Sequence, residues 1–315
     1  MADEHIKKLN DFDIDSLPDL DTAVLGALEL FQKEELPEIK LAGIYNRPLV
    51  VGSGNAEAAA RIIFQDFYAV FASESTYEEK LKNMPEIDGV VVLSASGGKH
   101  APEILRTAKK YGKHSTLLTN TSGSPAGREL DRAHQYDEYI FPKNREPYTY
   151  NVSTYMGMIL GHTKENPADI GRFVSQNTSK LAFPDFSGYD AYYLIVPPAL
   201  SGIARMFQIK FIELFGRKIA RDIETTEFVK HATTVVPSKE LFISFGEKND
   251  LWGEEENRFF VPLPENAGYG AMMAVGYYVI GQIQKQKPPY FKQNIGNYAA
   301  LASKIFGQEI KPIVE

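Results

Sequence analysis

Residues Gly89–Gly112 read GVVVLSASGGKHAPEILRTAKKYG. An apolar run stops at a small, polar, glycine-rich turn, and a helical stretch follows until Gly112 ends it. The same order recurs on either side. RPLVVGSG is strand then turn and AEAAARIIFQDFYAVF is helix. STLLTNTSGS is strand then turn, PAGRELDRA a helix and EYIF a short strand. Strand–helix alternation of this kind predicts an α/β protein with a parallel sheet covered by helices on both faces.

Further along, the order begins again. AYYLIVPPALSGIARMFQIKFIELFG repeats strand, turn and helix, at an offset of 144 residues that pairs Val51 with Ile195, Ala60 with Ala204 and Arg61 with Arg205. KELFISFG and RFFVPLP give two more strands, GYGAMMAVGYYVIGQIQKQ a long helix and YAALASKIFG a terminal one. The expected organisation is an N-terminal arm and helix over 1–44, a first α/β half over 45–165, and a second half over 166–315 with a helical tail. Within the arm, TAVLGALELFQKEE has helical apolar spacing.

The composition removes several function classes. A chain of 315 residues with 43% hydrophobic and 24% charged residues has enough apolar surface for a sizeable core. The formal net charge is −7 and Lys/Arg residues do not cluster, which argues against a nucleic-acid partner. No apolar run approaches the roughly 18 residues of a membrane helix. The N-terminus is acidic and polar, unlike a secretory signal. The absence of cysteine excludes disulfides, thiol nucleophiles and thiolate metal sites, and fits a cytoplasmic protein.

Ligands of parallel α/β sheets bind outside the carboxyl ends of the strands. The opening turn occupies that position and offers two hydroxyls, Ser94 and Ser96, an unshielded backbone at Gly97 and Gly98, and the charge of Lys99 beside a helix start that attracts anions. Neighbouring turns, GSGN (Gly52–Asn55) and TNTSGS (Thr119–Ser124), carry similar chemistry. Three such turns converging on one anionic group point to phosphate, whereas a single Ser/Gly turn would be read as a helix cap. A Walker loop is absent, and GSGNAE lacks the third glycine of a dinucleotide fingerprint. The second half has VPPA where the first has GSGN, and Pro197 and Pro198 supply no N–H donors. One phosphate site per chain, in the first half, is therefore expected.

SASGGKHAPEILRTAKKYGKHSTLLTNTSGSPAGRELD resembles the phosphosugar-binding core of the sugar isomerase (SIS) domain, and the tandem arrangement over about residues 45–310 is similar to the isomerase domain of glucosamine-6-phosphate synthase and its relatives. The resemblance implies two flavodoxin-like, doubly wound parallel-sheet subdomains, a homodimer, and a phosphorylated sugar as ligand. It places substrate binding on Gly52, Ser53, Gly54, Ser94, Ser96, Gly97, Thr121 and Ser124, with Lys99 where the family loop has Thr. Glu146, in REPYTYNVST, matches the position of a Glu before a helix start, and Arg145 beside it is a candidate either to hold a sugar hydroxyl or only to pair with that Glu. In the second half it assigns chemistry to Glu213 and His231, and to Lys304 in a tail segment. The long apolar helices YNVSTYMGMILG and MFQIKFIELFG are expected at the dimer interface.

Aldose–ketose isomerisation needs ring opening, proton transfer between C1 and C2, and stabilisation of the enediolate. A His near neutral pKa suits the first role, a partly buried carboxylate the second, and a Lys the third. His231, Glu213 and Lys304 meet these needs without metal or cofactor. The expected activity is thus a sugar-phosphate isomerase. An amino-sugar-phosphate deaminase or deglycase, or a non-catalytic sugar-phosphate sensor, is the alternative. EKNDLWGEEENR reads as a solvated loop rather than a metal site, and YDAYYLIV as strand core.

Overall fold

The computed structural model describes residues 3–41, 43–130, 136–232 and 239–315. Helices α1 (Glu4–Asp11) and α2 (Leu20–Leu30) precede β1 (Pro48–Val51), α3 (Asn55–Ile63), β2 (Val70–Ala72), α4 (Tyr77–Asn83) and β3 (Gly89–Leu93). Then come α5 (Ala101–Lys110), β4 (His114–Thr119), α6 (Pro125–Glu129), β5 (Tyr136–Ile140), β6 (Glu146–Pro147), α7 (Val152–Thr163) and α8 (Pro167–Gln176). The second series is β7 (Ala191–Val196), α9 (Ala204–Phe215), β8 (Ala220–Thr225), α10 (Thr226–Ala232), β9 (Glu240–Phe245) and β10 (Arg258–Val261). It ends with α11 (Tyr269–Gln286), α12 (Tyr290–Phe306) and β11 (Ile313–Val314).

The chain forms two compact units. The first-sheet unit comprises Glu34–Lys143 and Ser153–Lys164. Its five parallel strands run in the order β2-β1-β3-β4-β5, with Val50 opposite both Phe71 and Val91. One face carries Leu49, Val51, Val90, Val92 and Leu117 against Tyr77 and Leu81 of α4 and Ile104, Leu105 and Ala108 of α5. Residues that alternate with these, Val50, Val91 and Leu118, are buried on the other face, where α3 packs on β1 and β3. The sequence leads one to expect a helix from Ala56 through Phe71. It ends instead at Ile63, and Val70–Ala72 pairs with Leu49–Val51 as an edge strand. Pairing rewards the β-branched and aromatic residues there more than another helical turn would.

The second-sheet unit comprises Met1–Lys33, Asn144–Val152 and Glu165–Glu315. Its four parallel strands run β10-β9-β7-β8, the order that β4-β3-β1-β2 follow in the first sheet. Strand β8 is unforeseen by the sequence reading because ARDIET is polar and half exposed; it is the charged edge of its sheet. Tyr193, Ile195 and Phe242 face Val229 of α10. On the opposite face, Tyr192 meets Phe211 and Phe245 meets Phe207, both from α9. Within YDAYYLIV, Ala191–Val196 is strand core as expected, while Tyr189 and the exposed Asp190 precede the strand. In the arm, α1 is folded onto α2, where the buried Glu29 carboxylate accepts from the amides of His5 and Ile6. Helix α7 is buried from Val152 to Gly161 and α9 exposes only Arg205 and Ile212. Neither therefore presents the continuous apolar face expected of a dimer interface. The exposed apolar residues of the tail are Tyr298, Leu301, Ile305 and Phe306 on α12. No helix of the described residues is long and apolar enough to cross a membrane.

Candidate functional site

In the first-sheet unit, β1, β3 and β4 are neighbours, so the turns that follow them share the carboxyl edge of the sheet. Backbone and hydroxyl donors lock two of these turns together. Ser94 N donates to Leu118 O (3.0 Å), and Asn120 N and Thr119 Oγ1 both donate to Ala95 O (2.9 and 2.8 Å). Ala126 N donates to Gly97 O at 2.7 Å. Gly97 has φ +57°, and a Cβ there would stand 2.3 Å from Ser124 Oγ, so only glycine permits this approach. Ser124 Oγ accepts from Gly127 N (3.0 Å) and caps α6. Ser96 is exposed and its Oγ accepts from Gly98 N at 3.3 Å. Thr121 Oγ1 donates to Asn120 Oδ1 (2.7 Å), while Asn120 Nδ2 donates to the buried Thr154 Oγ1 (2.6 Å). At the β1 turn, a Cβ on Gly52 would approach Glu57 N to 2.9 Å, which keeps the turn close to the start of α3.

The charges at this edge are set by the same turns. Lys99 takes a left-handed backbone conformation (φ +52°). Its side chain reaches the surface, yet crowding around the ammonium pushes its pKa down, partly opposed by the Glu74 carboxylate. Glu74 lies in the turn after β2 and accepts a hydrogen bond from Ser53 Oγ. Burial works against its ionised form. The Ser53 hydroxyl, its own backbone amide and the nearby His100 and Lys99 outweigh that and hold the carboxyl below its usual range. The sequence pattern assigns Ser53 to the phosphate, whereas in the structure its hydroxyl donates to Glu74, which the pattern does not single out. The signal was the local order FASES followed by a helix, the same strand–polar turn–helix order as at Val91, hidden by the misread end of α3.

The remaining candidates belong to the second-sheet unit. Glu213 on α9 accepts from Lys210 Nζ at 2.7 Å. Lys210 is wholly buried and donates also to Thr149 O (2.8 Å) and Tyr150 O (3.0 Å), which uses all three of its protons. The segment it holds is strained: Thr149 and Asn151 have φ of +81° and +43°, and the Thr149 hydroxyl is buried without a partner. Two phenols stand by the carboxylate. Burial, then the neighbouring Tyr298 and Glu213, pushes Tyr148 up to about 12. Tyr298, whose ring lies 5.7 Å from that of Tyr148, is raised by burial and by Glu213. Lys210, Tyr148 and Tyr298 were not anticipated; the Lys–x–x–Glu spacing on α9 was the available sign for the first.

Glu146 is buried and accepts from Val152 N at 2.6 Å at the start of α7. Arg145 is committed to the arm, with its guanidinium donating to Phe12 O (2.5 Å) and stacked 4.2 Å over the Phe12 ring. Lys304 is exposed on α12, about 9 Å along the helix axis from Tyr298. His231 is exposed on α10, with residues 233–238 outside the described ones. Because α9 packs on the Tyr192 face of the sheet and α10 on the Tyr193 face, Glu213 and His231 belong to opposite faces.

No family model and no curated protein sequence matches the chain. Solved structures do. The tagatose-6-phosphate ketose/aldose isomerase from Escherichia coli aligns with a TM-score of 0.57 at 13% identity, over 92% of each chain. The glucosamine-6-phosphate deaminase from Thermotoga maritima gives 0.55 at 13% identity, over 90% of this chain and 94% of that one. The C-terminal domain of glucosamine-fructose-6-phosphate aminotransferase from Francisella tularensis gives 0.55 at 13% identity, covering 92% and 96%. What this chain shares with them is the fold, a tandem parallel α/β architecture.

Proposed function

We propose that this chain is a sugar-phosphate aldose–ketose isomerase acting on a hexose 6-phosphate. The observation that carries the reading is the pair of interlocked turns at the carboxyl edge of the first sheet, where Ser94, Ser96, Gly97 and Lys99 meet Thr121 and Ser124. Small residues, hydroxyls and one cation at adjacent strand ends suit a phosphate monoester. In this reading Glu213, oriented by Lys210, moves the proton between C1 and C2. His231 opens the ring and Lys304 stabilises the enediolate. The separation of Glu213 and His231 on opposite faces of one sheet favours a homodimer in which each chain supplies part of the partner's chemistry.

The test is a product panel. The purified protein is mixed with hexose 6-phosphates and with 2-amino-2-deoxyhexose 6-phosphates, and both isomerised sugar and released ammonia are followed. Interconversion of an aldose and ketose phosphate supports the isomerase. Ammonia release assigns the deaminase instead. Tight binding with no turnover on any member would reassign the chain as a sensor.

A further inference from the structure

The Ser53–Glu74 pair places a carboxylate at the edge that carries the proposed phosphate turns. Glu74 follows β2 and Ser53 follows β1, while the phosphate turns follow β3 and β4. Adjacent strands stand roughly 4.8 Å apart, so the end of β2 lies about 10 Å from that of β3, comparable to the length of a sugar phosphate. The Ser53 proton is directed onto Glu74 rather than toward the β3 turn. Against burial, Ser53, the Glu74 amide and the neighbouring His100 and Lys99 hold its carboxyl below the usual range. Along the edge the carboxylate thus stands on the β1–β2 side and Lys99 in the β3 turn, close enough for each to act on the other's titration.

We propose that Glu74 is a specificity-determining residue that admits sugar monophosphates and rejects ligands carrying a second anionic group at the opposite end, such as hexose 1,6-bisphosphates. This inference rests on the proposed sugar-phosphate reading of the β3 and β4 turns. A ligand whose phosphate occupies those turns extends its other end over β1 and β2. Hydroxyls there can donate to Glu74. A second phosphate meets a like charge that cannot be neutralised near pH 7, and discrimination by such a clash is set by the repelled ligand rather than the accepted one.

The experiment is equilibrium binding of a hexose 6-phosphate and of the matching 1,6-bisphosphate to the full-length protein and to Glu74→Gln, which keeps size and hydrogen bonding but removes the charge. The wild type should bind the monophosphate at least tenfold more tightly than the bisphosphate, and Glu74→Gln should bring the two affinities within about threefold of each other. Equal affinities in the wild type, or a ratio that Glu74→Gln leaves unchanged, overturn the inference while leaving the sugar-phosphate reading standing. Failure of both ligands and of orthophosphate to bind removes that reading and this one with it. A second measurement needs no variant. Raising the ionic strength toward about 1 M, where the screening length falls to roughly 3 Å, should narrow the wild-type ratio. A ratio indifferent to salt counts against a charge at Glu74.

Discussion

Replacing Lys210 by Met tests whether the buried ammonium organises the Glu213 region. The substitution preserves a linear side chain and removes the charge. Lys210 has no exposed surface, and its three protons satisfy Glu213, Thr149 O and Tyr150 O. Its loss leaves two backbone carbonyls and a mostly buried carboxylate short of a donor. Breaking a buried ion pair on one side costs about 3–5 kcal/mol. The strain at Thr149 and Asn151 worsens the loss, because conformations costing about 1–3 kcal/mol each persist only while their surroundings enforce them. With a urea slope on the order of 3 kcal/mol/M, the unfolding midpoint should fall by about 1 M. The assay is urea denaturation followed by tyrosine fluorescence and by circular dichroism, with coincidence of the two probes checked first. Lys210→Met combined with Glu213→Gln should be less destabilised than Lys210→Met alone, since the double variant no longer keeps a mostly buried carboxylate that has lost its ammonium. A midpoint within about 0.2 M of wild type for Lys210→Met, or simple additivity in the double variant, would refute the reasoning.

Three further outcomes follow from the same geometry. Ser96→Ala should weaken sugar-phosphate binding tenfold or more by calorimetry, since a charge-assisted hydrogen bond contributes about 1.5–3 kcal/mol, and unchanged affinity removes Ser96 from the site. Glu74 has a depressed carboxyl pKa, so its stabilising contribution is complete above the ordinary value of 4.5 and is lost as pH falls below it; the stability gap between wild type and Glu74→Gln should close on acidification, and a gap independent of pH contradicts the shift. His231→Ala and Glu213→Ala should each be nearly inactive, yet refolding them together should recover up to about a quarter of wild-type activity if sites are shared, because half of the dimers would pair unlike chains and hold one intact site of two. No recovery with mixed dimers shown to form would assign both residues to one chain.

The parts of this molecule legible in the sequence are those encoded locally. GVVVLSASGGKHAPEIL announces strand, turn and helix within a short window, and β3, its turn and α5 form as read. The weak repeat at an offset of 144 corresponds to a shared strand order in the two sheets. What was missed depends on pairing. Val70–Ala72 becomes a strand only because Leu49–Val51 lies beside it, and ARDIET only because β7 does. Missing β2 concealed the turn after it, and with it Glu74, whose partner Ser53 lies 21 residues away. The Lys210–Glu213 pair is local in sequence, but its meaning comes from Thr149 and Tyr150, some sixty residues distant. Spacing alone could not show that this lysine is buried rather than solvated.

The divergence of two units with one strand order explains why an anion site is expected on only one of them. In the first sheet, the turn after β1 is GSGN, and the turn after β4 leads into a helix capped by the single hydroxyl of Ser124. At the corresponding places in the second sheet, β7 is followed by Pro197 and Pro198, which carry no N–H donors, and β10 leads to the long helix α11. The positive end of that helix is already neutralised. The Glu165 carboxylate accepts from Gly268 N (2.9 Å), Gly270 N (2.7 Å) and Ala271 N (3.0 Å), and a Cβ on Gly268 would strike it. A carboxylate of the chain itself thus sits where the topology would offer a phosphate its donors. The second sheet keeps the architecture, closes its own anion position from within, and is left to present side chains such as Glu213 on the helices that cover it.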